Sequence, residues 1–301
     1  MSAAADLRLG AVFPTTEIGS DPGAIRDWAQ AAESLGYDHI VVYDHVLGAV
    51  HEGREPPLRG PYTERDPFHE PFVLLAWLAA ATTRIGLCTG VLILPQRQTA
   101  LVAKQAAELD LLSGGRLRLG VGTGWNHVEY TSLGVPFEDR GARLDEQVAL
   151  LRALWREPLV DFTGAFHRVE RAGIAPRPGR EIPIWFGGFT PVALRRAARL
   201  GDGFLFGAAP SQMQGLLGRL LEERARQGRA DASFGAEAFV DFSTEPDAWL
   251  GELETWRKAG GTHVSLRAMD TAAGFVGARR VGYAGPRDYI DALETFRREV
   301  G

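Results

Sequence analysis

The strongest constraint on this chain is an alternation that repeats about eight times: a short apolar run, then an amphipathic helical stretch. The apolar runs are Leu7–Pro14, His39–Asp44, Arg84–Leu94, Leu117–Val121, Ile182–Phe186, Gly203–Phe206, Ala238–Phe242 and His263–Arg267. Runs apolar on both faces, separated by helices, belong to parallel strands covered on both sides. The helices carry their own punctuation. Asp21-Pro22 and Thr190-Pro191 each place an N-cap before proline, and Gly36 supplies a stop. In the first helix Ile25, Trp28, Ala29, Ala32 and Leu35 line one face. Further helices are expected near 70–81, 99–112, 127–133, 141–155, 211–227, 247–258 and 286–299.

Eight such units fit a (β/α)8 TIM barrel better than the alternative, an open doubly wound sheet with a second domain. No change of composition marks a linker, so residues 1–301 are expected to form one barrel domain. Two segments interrupt the rhythm. Residues 46–68 are rich in Gly, Pro and charge and read as a long loop following a strand. Residues 157–180 read as an inserted hairpin, with Leu159–Val169 alternating around Thr163-Gly164.

Composition narrows the function classes. At 45% hydrophobic and 24% charged residues, a sizeable core is expected. The net charge of −5 argues against nucleic-acid binding and against a basic membrane surface. The single cysteine, Cys88, lies in an apolar strand and reads as packing. No charged-then-apolar leader and no membrane-length apolar run is read, so a cytoplasmic location is expected.

Barrel enzymes place their chemistry at the carboxyl ends of the strands. The candidates there are Pro14-Thr15, Asp44-His45, Thr89–Leu92, Gly122–Asn126, Gly187–Thr190, Gly207, Asp241–Ser243 and Arg267. Gly122-Thr123-Gly124 and Gly187-Gly188-Phe189-Thr190 are glycine-rich strand-to-helix turns, each suited to an anion or to turn geometry alone. They follow the fourth and fifth strands, which a standard phosphosugar barrel does not predict, and GVGTG lacks the third glycine of a dinucleotide fingerprint. His45 is placed to move a proton near neutral pH, with Asp44 to orient it or bind a ligand. His51, His69 and His127 lie near the same end. No HxH, HExxH or CxxC spacing supports a metal, and no GxSxG elbow supports serine hydrolysis. Gly90, inside a strand, marks a bulge or close approach. Tyr43, Phe68, Trp125, Trp185, Phe186 and Phe189 crowd the expected mouth, most of them as core and Trp125 and Phe68 as candidates for ligand contact. Glu129 reads as the capping-box partner of Asn126.

With these residues in view, the chain resembles the luciferase-like monooxygenase superfamily over nearly its whole length. The matching stretches are YDHVL (Tyr43–Leu47), RIGLCTGVLILP (Arg84–Pro95), LDLLSGGRLRLGVGTGWN (Leu109–Asn126), GVPFEDRGARLDEQVALLRALW (Gly134–Trp155) and IPIWFGGFTPVALRRAARLGDGF (Ile182–Phe204). The resemblance implies a barrel that holds a flavin or deazaflavin at the strand ends. A cis peptide at Gly90–Val91, flanked by Thr89, would back the ring. Gly122, Thr123, Gly124, Trp125 and Asn126, with Gly187, Gly188, Phe189 and Thr190, would hold the cofactor, and Asp44 and His45 would lie beside the ring. The motifs look closest to the branch that uses coenzyme F420, implying hydride exchange with a small organic substrate. Some F420 dehydrogenases carry a glutamate where Trp125 stands here, which argues against a sugar-phosphate substrate. The alternatives are an FMN-dependent monooxygenase using oxygen and a flavin-binding protein without turnover. Homodimers are common in such families, and exposed apolar helix positions permit one.

Overall fold

The computed structural model describes residues 7–230, 233–271 and 273–301. In chain order the first half runs β1 (Arg8–Val12), α1 (Pro22–Ser34), β2 (His39–Val42), α2 (Pro71–Ala81), β3 (Gly86–Thr89), β4 (Leu92–Ile93), α3 (Thr99–Leu112), β5 (Leu117–Gly122), α4 (His127–Ser132) and α5 (Arg140–Arg156). The second half runs β6 (Val160–Thr163), β7 (Arg168–Ala172), β8 (Ile184–Gly187), α6 (Pro191–Leu200), β9 (Gly203–Leu205), α7 (Pro210–Arg226), β10 (Gly235–Asp241), α8 (Pro246–Lys258), β11 (His263–Arg267), α9 (Ala273–Val276) and α10 (Pro286–Val300).

The strands pair in the order β3-β2-β1-β11-β10-β9-β8-β5-β4, and β3 pairs with β5 as well, so the parallel sheet closes on itself. This is a (β/α)8 barrel. β3 and β4 together occupy one staves' width: Leu87 and Cys88 sit against Leu117 and Arg118, then Leu92 and Ile93 against Val121 and Gly122. The expected continuous third strand is therefore broken between Thr89 and Leu92, at the glycine that marked a bulge. β6 and β7 form the expected antiparallel hairpin between α5 and β8. Its tip is tied down by Glu146, whose carboxylate accepts from the Phe166 N–H and meets His167 Nδ1 at 2.7 Å.

The helix starts follow the capping chemistry. Asp21 accepts from the Gly23 N–H, Glu70 from Val73 and Thr190 from Ala193, each just ahead of a proline in the first turn. The period of two along each strand divides the core. Ala11, Ile40, Leu87, Leu119, Ile184, Phe204, Ala238 and Leu266 face the helices. Val12, Val41, Cys88, Trp185, Leu205 and Phe239 fill the barrel.

The amino end of the barrel interior is closed by charge. Glu237 is fully buried and meets His39 Nε2 at 2.9 Å, the Ser265 hydroxyl at 2.5 Å and the Arg118 guanidinium at 2.5 Å. Arg118 in turn lies 4.0 Å over the Trp185 ring, which packs edge-on against His263. Trp185 thus belongs to this floor and Phe186 to the helix-facing core, so neither lines the mouth.

Candidate functional site

At the carboxyl end of β2 the backbone delivers Asp44 and His45 in succession. Just past the strand, their side chains take different directions. The buried Asp44 carboxylate accepts from the Ile93 N–H at 2.8 Å and from Arg97 Nη2 at 2.7 Å. Arg97 Nη1 also reaches Glu70 at 3.0 Å, so one guanidinium joins two carboxylates. Burial pushes the Asp44 carboxyl up, with Arg97 and the Ile93 N–H pulling against it. Asp44 makes no hydrogen bond to His45. It fixes the chain just past the break between β3 and β4.

His45 is held by Glu129 instead. Its Nδ1 lies 3.0 Å from Glu129 Oε2, while Glu129 Oε1 accepts from the N–H groups of Val46 at 2.7 Å and Leu47 at 3.1 Å. Burial alone would raise the Glu129 carboxyl. The bonds from His45, Leu47 and Val46 outweigh it, and the group is held below its ordinary value. Asn126 is the N-cap of α4 as expected, accepting from Val128 and Glu129 N–H. Its amide also donates to the Leu47 carbonyl at 3.1 Å. The Glu129 side chain does not return to the Asn126 backbone to complete a capping box; it turns across the mouth to His45. The i to i+3 spacing suggested the local bond, and the partner 84 positions away carried no local signal.

Aromatic rings enclose the His45 imidazole. Phe68, Tyr62 and Trp125 pack edge-on at centroid distances of 4.9, 5.3 and 5.4 Å. Tyr62 and Phe68 come from the 46–68 segment, which folds back over the strand end as anticipated from its position. His51 Nε2 lies 2.9 Å from the Tyr62 carbonyl and its ring reaches Trp125 at 6.0 Å. His69 bonds the Gly19 carbonyl and His127 packs on Phe137, both away from His45.

The neighbouring wall is built on the break between β3 and β4. The Gly90–Val91 peptide is cis. Thr89, fully buried, donates its hydroxyl to the Gly120 carbonyl at 2.7 Å, and the Gly90 N–H reaches the Val42 carbonyl at 2.7 Å. The Val91 side chain leans over the ends of β5 and β8: a Cβ at Gly122 would sit 2.5 Å from one of its methyls and a Cβ at Gly187 2.7 Å from the other. Gly124 turns the chain at φ +63°, packed on Ile93, and Tyr130 donates to the Thr123 carbonyl at 2.6 Å. Beyond β8, Gly188 has φ +146°, Phe189 is exposed with its ring near Gly207, and Thr190 caps α6.

Across the mouth, Arg267 at the end of β11 donates in a fork to Asp241 at the end of β10, at 2.6 and 2.9 Å. Both positions were strand-end candidates; their pairing was not foreseen. Among the described residues no group of three or more His, Cys, Asp or Glu side chains converges as a metal site, and no helix is long and apolar enough to cross a membrane.

The sequence profile of luciferase-like monooxygenases matches residues 7–296, the whole of the closed barrel. The chain belongs to the luciferase-like monooxygenase family. Membership in this family makes it an oxidoreductase. An uncharacterized protein of Mycobacterium tuberculosis is 39% identical over 210 residues, 67% of this chain and 71% of the relative. An F420-dependent glucose-6-phosphate dehydrogenase of Nocardia farcinica is 33% identical over 264 residues, 83% of this chain and 74% of that one. Among solved structures, an F420-dependent secondary alcohol dehydrogenase in complex with an F420–acetone adduct superimposes with a TM-score of 0.76. It shares 19% identity and covers 99% of this chain and 100% of its own, a likeness of fold.

Proposed function

We propose that this luciferase-like monooxygenase family member is an F420-dependent oxidoreductase that exchanges a hydride with a small organic substrate. The observation that carries the reading is His45, walled by aromatic rings and anchored through one nitrogen, at the same strand ends as the cis Gly90–Val91 bond. Relatives named as F420-dependent dehydrogenases support it.

The residues fit a flat ring system. The space a Cβ would take at Gly122 and Gly187 is filled by Val91 and at Gly90 by Val41, so these glycines let Val91 and the cis bond sit down on the strand ends as a smooth apolar surface. Val91 and the cis bond would back the ring, and Gly122–Gly124 with Gly187–Thr190 would take the ribityl and phosphate tail. Bound there, the deazaflavin would supply two-electron hydride chemistry. The protein's own residues do the rest. His45 gives or takes a proton at Nε2, which has no protein hydrogen-bond partner among the described residues. Phe68, Tyr62 and Trp125 keep bulk water from that imidazole. Asp44, through Ile93 and Arg97, holds the backbone that follows the cis bond.

Titration of the purified protein with F420 and with FMN, each oxidised and reduced, tests the cofactor by fluorescence. Saturable binding of F420 is expected. Tight binding of FMN without F420 would overturn the reading in favour of a flavin monooxygenase. His45→Ala is expected to bind F420 normally and to lose turnover; unchanged turnover would remove His45 from the proton path.

A further inference from the structure

We infer that Glu129 is a positioning residue that dictates which nitrogen of His45 exchanges the proton, and that it does so jointly with the first two residues of the 46–68 segment. The inference rests on the proposed role of His45 and asks what sets its chemistry.

The argument is one of hydrogen-bond direction. Glu129 Oε1 receives two backbone N–H groups, from Val46 and Leu47. Those are obligate donors, so this oxygen must be an acceptor. Oε2 faces His45 Nδ1 at 3.0 Å, with the Gln96 amide at 3.5 Å on its other side. With two N–H groups on Oε1 and the Gln96 amide donating to Oε2, the group is set up as a carboxylate, and Oε2 is also an acceptor. Nδ1 therefore carries a hydrogen whether the imidazole is neutral or charged. Only Nε2 is left to gain or lose a proton.

The same carboxylate is buried, is carried by α4, and is oriented by the Asn126 cap, which also holds the Leu47 carbonyl. Glu129 and Asn126 thus grip both the donor and the acceptor side of residues 46–47. The imidazole and the root of the segment that brings Tyr62 and Phe68 over it are registered to one point on the turn after β5. Displacing that root would release the tautomer, and removing the carboxylate would release both.

The test uses nitrogen-15 NMR of the histidine side chains in the ligand-free protein, with His45→Gln to assign the His45 signals. Wild type is expected to show the neutral His45 ring as the Nδ1–H tautomer. Glu129→Gln supplies one oxygen and one NH2. The Val46 and Leu47 N–H groups claim the oxygen, so the NH2 faces His45 Nδ1 and the imidazole is expected to switch to the Nε2–H tautomer. A wild-type Nε2–H tautomer overturns the inference, as does Nδ1–H persisting in a folded Glu129→Gln variant. If that variant does not fold, the wild-type tautomer decides. A purely structural role for Glu129 would lower stability without switching the tautomer. The measurement needs no cofactor, so failure of the F420 reading would show separately in the binding titration.

Discussion

The backbone at Gly60 lies flat against the indole of Trp125, so close that a Cβ at position 60 would overlap the ring. This contact seats the middle of the 46–68 segment on the turn that follows β5. Gly60→Ala must push the two apart. Overpacking of this kind costs about 1–3 kcal/mol. If the segment opens before it is cut, proteolysis within 46–68 should quicken roughly 5- to 150-fold while the barrel itself stays resistant. Limited proteolysis with mass mapping reads this directly, and cutting at the wild-type rate would show that the contact does not hold the segment.

Gly122→Ala tests the seat of Val91. Its new Cβ would meet a Val91 methyl at 2.5 Å, so the valine or the strand end must move. Binding of F420 is expected to weaken about 10-fold or more, in line with an overpacking penalty of about 1–3 kcal/mol. Gly179→Ala, where nothing lies within 4 Å, should bind as wild type. Equal affinity in both variants would take the β5 end out of the cofactor site.

The Arg267–Asp241 fork is buried at the mouth, with Arg267 only 8% exposed. Burial works against the Arg267 charge, but Asp241 and Tyr43 outweigh it and hold the group above its ordinary value. Asp241→Asn leaves that guanidinium without its counter-charge and should lower stability by about 3–5 kcal/mol. The paired change Asp241→Leu with Arg267→Met should recover most of the loss. Denaturant melts of the three proteins decide it, and a single variant as stable as wild type would mean that solvent reaches the pair.

His263 predicts a pH dependence. Burial, with the Arg118 and His39 charges beside it, pulls this imidazole from an ordinary 6.5 to about 3. The unfolded chain therefore takes up a proton near pH 6.5 that the folded chain refuses. Stability falls as pH drops through 6.5, with a limiting slope of about 1.4 kcal/mol per pH unit, and this contribution levels off near 3. The buried carboxylates with lowered values add to the fall only below about 4.5, while Asp44, pushed up by burial, works against it, so the difference between wild type and a His263 variant is what isolates the histidine. His263→Gln should flatten the stability curve below pH 6.5. A variant curve parallel to wild type would place the titration elsewhere.

What was legible in the sequence was whatever is encoded locally. Apolar runs and proline-led caps placed the strands and helices, and Gly90 marked the break between β3 and β4. The 46–68 loop followed a strand and does cover that strand's end. What was not legible depends on closure of the barrel. Glu129 and His45 meet across 84 positions, and local spacing instead suggested a cap. Adjacency in sequence suggests Asp44 as a partner for His45, yet past the end of β2 Asp44 turns to Ile93 and Arg97 and His45 to Glu129. Trp185 was grouped with the mouth aromatics, but its indole lies over Gly203 and Gly235 at the opposite end. Small residues on neighbouring strands made room for it, which no single run reveals.

The charged floor built from Arg118, Glu237, His39 and Ser265 has a consequence for how far a substitution there can reach. With these side chains filling the amino end, the strand ends on that side are held by paired charges, and the described side chains that surround His45 all come from the opposite, carboxyl side. A change in the floor therefore acts on the stability of the barrel and leaves the surroundings of the imidazole in place.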